Sequence, residues 1–196
     1  MVIDFKVNFN NYEEKILKNY SFFDYQCPKC GAKHSLTRHG SYDRNVCFID
    51  AAQNIVEQKF TVLRVKCSSC NSTHAILPND IIPYCIYSFS FILSTLTEYY
   101  SNEHSIPDLS SIFAISFQLI YIFIAKFSSF LNSCSIVLRS LGYAIPSNPD
   151  TVVSVLNSYQ FSGNFLYQYF FACQWMLLMT KFQNIVPRSI YISGFY

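Results

Sequence analysis

The chain has 196 residues, a hydrophobic content of 51% and a formal net charge of +2. That length holds one ordinary domain or two to three small ones, and so much apolar material excludes a wholly disordered chain. A net charge this small excludes no class of partner, but its distribution is uneven: residues 1–80 carry ten Lys/Arg and eight Asp/Glu, residues 81–196 only four of each. A charged module therefore precedes an apolar, aromatic one.

In chain order, residues 1–20 open with the alternating Val2-Ile3-Asp4-Phe5-Lys6-Val7 and read as a leading strand or extended arm. Two Cys-x-x-Cys knuckles follow, Cys27-Pro28-Lys29-Cys30 and Cys67-Ser68-Ser69-Cys70, separated by 36 residues of strand-and-turn character. Each knuckle offers two thiolates to one side of a tetrahedral ion, so the pair predicts one structural Zn2+ held by Cys27, Cys30, Cys67 and Cys70 in a zinc ribbon over residues 21–83. Four thiolates leave no open position for water, which argues against a catalytic metal. Gly31 suits the backbone reversal around the ion, and Phe60-Thr61-Val62-Leu63-Arg64-Val65-Lys66 reads as a strand running into Cys67. His34 and His74 each stand four residues after a knuckle's second cysteine. Either can replace a thiolate, or both lie at the surface or behind the ligands. Arg38, His39, Arg44, Arg64 and Lys66 form a cationic edge facing phosphates, or else a solvated face shared with Asp43 and Asp50.

After Pro83 the apolar period becomes helical, with Ile86, Phe89, Ile92, Leu93, Leu96, Tyr99 and Tyr100 on a helix of about four turns. Ser105 then caps a short helix with Pro107 and Asp108 in its first turn, Ala114-Ile115 makes a tight connection, and Ser116 caps the next helix. Leu109, Ile112, Phe113, Ile115 and Ile120 are the expected seam. This unit, placed at residues 84–130, resembles the helix-turn-helix of many transposases and small DNA-binding regulators. It departs from that pattern in having Ala114 where glycine is usual, and Phe117, Gln118 and Ile122 where cations are usual. An apolar helix pair packed in a core has the same period.

Residues 131–196 read as an apolar, aromatic helical tail, with Phe165, Tyr167, Tyr169, Phe170, Phe171, Trp175 and Leu178 on a helix apolar on most sides. The uncharged runs at 81–97 and 109–125 are 17 residues each, at the lower limit for a bilayer span, and that at 151–180 is broken by Asn, Gln, Ser and Gly. Membrane insertion is disfavoured on this reading. The start lacks a basic stretch followed by an apolar one, so a reduced, cytoplasmic setting is expected, with Cys47, Cys85, Cys134 and Cys173 as small buried hydrophobes. No nucleophile–base arrangement, phosphate-cradling glycine loop or carboxylate pair is present in the sequence, and no catalytic residue is assigned.

Cys27-Pro28-Lys29-Cys30-Gly31, Arg38-His39-Gly40-Ser41-Tyr42-Asp43-Arg44, and Arg64-Val65-Lys66-Cys67-Ser68-Ser69-Cys70 followed by His74 and Leu77-Pro78 together resemble the amino-terminal zinc-binding region of bacterial insertion-sequence transposases. They also resemble a related group of short proteins that carry this ribbon, a domain of unknown function, without the nuclease. The resemblance spans residues 21–83 and extends more weakly to 127. It implies docking on DNA through ribbon and helix-turn-helix, with Arg38, His39, Arg44 and Lys66 on phosphates and Gln118 and Tyr121 toward base edges. The nuclease of such enzymes needs three metal-binding carboxylates, and downstream of Asp108 this chain has only Asp150. The expectation is an α+β, zinc-binding, DNA-binding, transposase-like protein that is not an enzyme. Its rivals are an interaction module that forms homo-oligomers through its aromatic helices, a small membrane-associated protein, and a truncated transposase with a drifted tail.

Overall fold

Strands β1 (Val2–Asp4), β2 (Leu36–Ile49), β3 (Ile55–Cys67) and β4 (Thr73–Pro78) build one sheet in the order β1-β4-β3-β2. The computed structural model describes residues 2–4, 7–18, 25–50, 52–144, 148–162 and 165–173. β2, β3 and β4 are antiparallel, while β1 runs parallel to β4, with Val2 opposite Ile76 and Asp4 opposite Pro78. With the helices that follow, the architecture is α+β, as the change of period after Pro83 predicts.

The predicted strand at residues 60–66 lies within β3. It is more deeply placed than its alternation suggests: the consecutive Val62 and Leu63 are both fully buried, so both faces of this interior strand are covered. β2 is the edge strand, and every residue from 37 to 43 is exposed. The β2–β3 turn is tied by Asp50, whose carboxylate accepts the Ala52 and Asn54 amides at 2.8 Å each.

The leading arm is not extended throughout. After β1 come a 3-10 turn at Phe9–Asn11 and a more loosely wound helical segment at Glu13–Lys18. Asn8 and Asn11 start it by exchanging side-chain-to-amide hydrogen bonds of 3.0 Å. Tyr12 and Ile16, one turn apart, are both buried. The Tyr12 hydroxyl accepts the Leu63 amide at 3.0 Å and donates to the Ile76 carbonyl at 2.7 Å. The β3–β4 ladder pairs Arg64 with Ala75 and Lys66 with Thr73, so the next rung would join Leu63 to Ile76. The phenol spans that rung, at the point where β4 also begins to pair with β1. Burial pushes this phenol well above the ordinary tyrosine range, keeping it protonated and able to donate.

Among the described residues five helices follow: α1 (Phe89–Ser101), α2 (Ile106–Phe113), α3 (Phe117–Ser140), α4 (Pro149–Ser162) and α5 (Phe165–Cys173). α1 starts later than its apolar period implies. Ser88 caps it by accepting the Phe91 amide at 3.2 Å, and Ile86 lies outside it, 51% exposed. α2 has the predicted cap Ser105, which Asp108 turns into a reciprocal one; it ends on left-handed Ala114 at φ 51° and hands over to Ser116, the cap of α3. Leu109, Phe113, Ile115 and Ile120 form the seam, but Ile112 is 46% exposed. At about 100° per residue Ile112 lies on the margin of the Leu109–Phe113 stripe, on the side away from Phe113.

α3 is long and apolar enough to cross a membrane by length and composition. It also carries a buried stripe of Ile120, Phe123, Phe127, Cys134 and Leu138, and it packs on α1, α2, α4 and α5. That periodicity is that of a helix with one face laid against its neighbours, and 33% of its apolar window is buried. The Ser133 hydroxyl meets the Tyr169 hydroxyl at 2.7 Å, joining α3 to α5. α5 accounts for Phe165, Tyr167 and Tyr169 of the predicted aromatic helix, while Trp175 and Leu178 lie outside the described residues. Of the four remaining cysteines only Cys134 is fully buried; Cys47, Cys85 and Cys173 are half-buried.

By its contacts the chain divides into two units, one holding Met1–Val46 and Gln58–Ile86, the other Cys47–Glu57 and the helices after Tyr87. The boundaries expected at 83/84 and 130/131 differ from this division. The hairpin tip joins the helices because Cys47 bridges to Tyr87 and its carbonyl accepts the Ser88 amide at 2.9 Å. Residues beyond 130 join them because α3 continues unbroken to Ser140.

Two substitutions test these joints. Tyr12→Phe strands a buried amide and a buried carbonyl and is expected to cost about 1–3 kcal/mol, read as a lower denaturation midpoint at unchanged m-value. Ala114→Gly removes the left-handed penalty and is expected to stabilise the helical unit by about 1 kcal/mol in thermal melts.

Candidate metal centre

The knuckles fold alike because they obey the same local rules. In the first, Gly31 N–H donates to the Cys27 carbonyl at 2.8 Å and Cys27 N–H to the Ala32 carbonyl at 3.0 Å; in the second, Asn71 N–H donates to Cys67 at 2.9 Å and Cys67 N–H to Ser72 at 2.9 Å. Both reversals need a left-handed residue, supplied by Gly31 (φ 74°) and Asn71 (φ 59°), the two residue types that tolerate it best. The match extends over Cys-x-x-Cys-x-x-x-His at an offset of 40 residues, a short internal repeat.

The four sulfurs converge. Cys27 Sγ is 3.6 Å from Cys70 Sγ, Cys30 Sγ is 3.7 Å from Cys67 Sγ, and all four lie within 4.8 Å of one another. Four thiolates on a tetrahedral ion with bonds of about 2.3 Å sit about 3.8 Å apart, so this set fits a single metal ion. Cys27 and Cys67 are buried, Cys70 is half-buried and Cys30 is exposed.

The surroundings treat the thiols unequally. Burial raises the Cys27 thiol, against hydrogen bonds from the Cys30 and Lys29 amides. Burial acts on Cys67 too, yet the Ser35 hydroxyl and the Cys70 and Ser69 amides outweigh it and bring that thiol below its ordinary value. Hydrogen bonding from Ser72 lowers Cys70. A bound cation displaces the remaining protons and makes all four thiolates.

The two equally spaced histidines part company. His34 is exposed with a left-handed backbone at φ 54°. His74, held in β4 opposite Val65, is buried, with Nε2 3.3 Å from Cys27 Sγ. Burial lowers its pKa to about 4, so the ring is neutral at physiological pH. Ser35, which nothing in the sequence singles out, places its Oγ 3.2 Å from Cys67 Sγ.

The predicted cationic residues fall into two groups. Arg38, His39, Arg44 and Lys66 all lie on the β2–β3 hairpin. Arg38 and His39 are exposed, Arg44 and Lys66 half-buried. Arg38 Nη1 donates to the Leu17 carbonyl at 3.2 Å and Arg44 to the Cys85 carbonyl, which occupies part of each guanidinium's donor set. Asp43 is engaged by Lys59 at 3.0 Å and Thr61 at 2.7 Å, and Asp50 by its turn, so both nearby acids have local partners. Gln118 and Tyr121 are exposed in the first turn and a half of α3, beside Phe117 and Ile122.

Residues 27–112 match the family described as Domain of unknown function (DUF6431). The match begins at the first cysteine, takes in the whole sulfur cluster and the hairpin, and ends within α2. Neither the curated proteins nor the solved structures searched contain a match to the chain.

Cys27→Ser and Cys67→Ser are each expected to abolish stoichiometric metal in the purified protein, whereas Cys134→Ser retains it. Elemental analysis reads the metal. Circular dichroism of the wild type after chelation is expected to lose sheet signal and keep helix signal.

Proposed function

We propose that the chain is a zinc-ribbon protein that binds duplex DNA without catalysis, related in role to transposase DNA-docking regions. Zinc is the ion that four closed thiolates favour; they form a structural site with no position for substrate or water. The observation that carries the DNA reading is the exposed run of β2 at residues 37–43, which presents Arg38 and His39 on the hairpin that also bears Arg44, Arg64 and Lys66. A two-stranded ribbon is an element the major groove admits, and cations along it supply the phosphate contacts. Gln118 and Tyr121, exposed after the tight turn at Ala114, are the side chains proposed for base edges. The metal, in this reading, is a staple for the ribbon, and the protein works in a reducing, cytoplasmic setting.

A second reading has its own support. Ile112, Phe117, Tyr121 and Ile122 are 46–57% exposed around the α2–α3 turn, where a DNA-reading helix would carry cations. Such a patch favours a protein partner or a second copy of the chain.

Binding to duplex DNA at graded salt separates the two. The zinc-loaded protein is expected to lose affinity linearly in log salt, and Arg38→Ala and Lys66→Ala each to flatten the slope by about 1. A salt-independent signal, or an oligomer by light scattering that ignores DNA, supports the interaction module instead.

A further inference from the structure

A reciprocal pair of polar side chains stands behind the sulfur cluster. Ser35 follows the first knuckle and reaches Cys67 of the second at 3.2 Å; His74 follows the second knuckle and reaches Cys27 of the first at 3.3 Å. The segments are tied directly, since Ser68 N–H donates to the Ser35 carbonyl at 2.8 Å. Ser35 Oγ is within donating reach of both the Ala32 carbonyl at 3.1 Å and Cys67 Sγ at 3.2 Å, and a metal-bound thiolate, being charged, is the stronger acceptor of its one proton. Cys27 also receives the Lys29 and Cys30 amides, and Cys67 the Ser69 and Cys70 amides. Both first cysteines thus sit buried among three donors. Cys30 is exposed. His74 is outside the set of mutually close sulfurs and approaches Cys27 alone among them at hydrogen-bond range, which is the position of a supporting group and not of a fourth ligand.

Resting on the zinc reading above, we infer that His74 is a positioning residue: its Nε2–H holds the Cys27 thiolate on the metal, Ser35 does the same for Cys67, and Cys30 is left as the thiolate at which external reagents attack. A metal-bound thiolate that accepts several hydrogen bonds holds its charge more tightly and is a poorer nucleophile, and burial bars access as well. In reaction with iodoacetamide the sulfur of Cys30 forms a bond to the methylene carbon and iodide leaves, after which three thiolates remain on the metal.

The test uses the full chain loaded with zinc or with cobalt(II), in the wild type, His74→Gln, His74→Leu and Ser35→Ala. Glutamine keeps an N–H near the position of Nε2, and leucine removes it. Chelator competition is expected to show affinity lowered about 10- to 100-fold in His74→Leu and largely restored in His74→Gln. The cobalt spectrum is expected to keep its four-thiolate bands in both. Mass spectrometry after iodoacetamide is expected to find Cys30 labelled first among the four cluster cysteines in the wild type, with Cys27 gaining label in His74→Leu. Should His74→Leu fail to fold, Ser35→Ala carries the same expectation at Cys67. Equal affinity and equal labelling order across all four proteins overturns the inference, as does a cobalt spectrum that loses a nitrogen ligand in His74→Leu. A wild type that takes up no metal removes the zinc reading itself, so the two failures are distinct.

Discussion

Convergence of four sulfurs is the constraint on which the sheet unit depends. Cys67 ends β3, Thr73 opens β4 and Leu36 opens β2, so the cluster fastens three strands at one end of the sheet. β2 buries little of itself, being exposed from 37 to 43, and contributes little apolar area to its own retention. A closed thiolate site in small zinc domains contributes an apparent 10–16 kcal/mol or so, against about 5–15 kcal/mol for the net stability of a whole domain. Under the zinc reading, ligation would therefore hold the exposed β2 in place, while β3 is held by its own buried Phe60, Val62, Leu63 and Val65.

The second fastening is the Tyr12 hydroxyl, which serves two strands at once. β4 has to pair with β3 on one side and β1 on the other, and the rung between Leu63 and Ile76 is where those demands meet. A phenol spanning the rung lets the strands separate without leaving a buried amide or carbonyl unsatisfied. The price is a fixed position for the turn at Phe9–Asn11 and the segment after it, whose Phe9 and Tyr12 rings pack on Phe60 at 4.9 and 4.7 Å. The amino-terminal arm is accordingly part of the sheet unit's core.

Features set by local chemistry were legible in the sequence. Cys-x-x-Cys followed by Gly31, the capping signals at Ser105, Asp108 and Ser116, and the β-branched run into Cys67 each depend on neighbours a few residues away. Features set by distant neighbours were not. His34 and His74 share spacing and type, yet one is exposed and the other buried, because His74 enters a strand flanked on both sides while His34 precedes an edge strand. Ser35 gives no sign of its role because a serine after a turn is ordinary. Ile112 reads as seam by its type and is exposed by its phase. The hairpin tip joins the helices through main-chain pairing of Cys47, which composition does not encode.

A tetrathiolate site with a divalent ion carries net charge −2, and burying part of it has a desolvation penalty that hydrogen bonds must offset. Donors to charged acceptors are worth about 1.5–3 kcal/mol each. Cys30 is left to solvent, Ser72 serves the half-buried Cys70, and donors surround the buried Cys27 and Cys67. A neutral imidazole is well suited to that place, since it donates through one nitrogen without adding a buried cation that an apo state would have to accommodate. Under the zinc reading, the buried His74 beside Cys27 and the exposed Cys30 give such a centre a dry side and a wet side, and the two histidines differ accordingly.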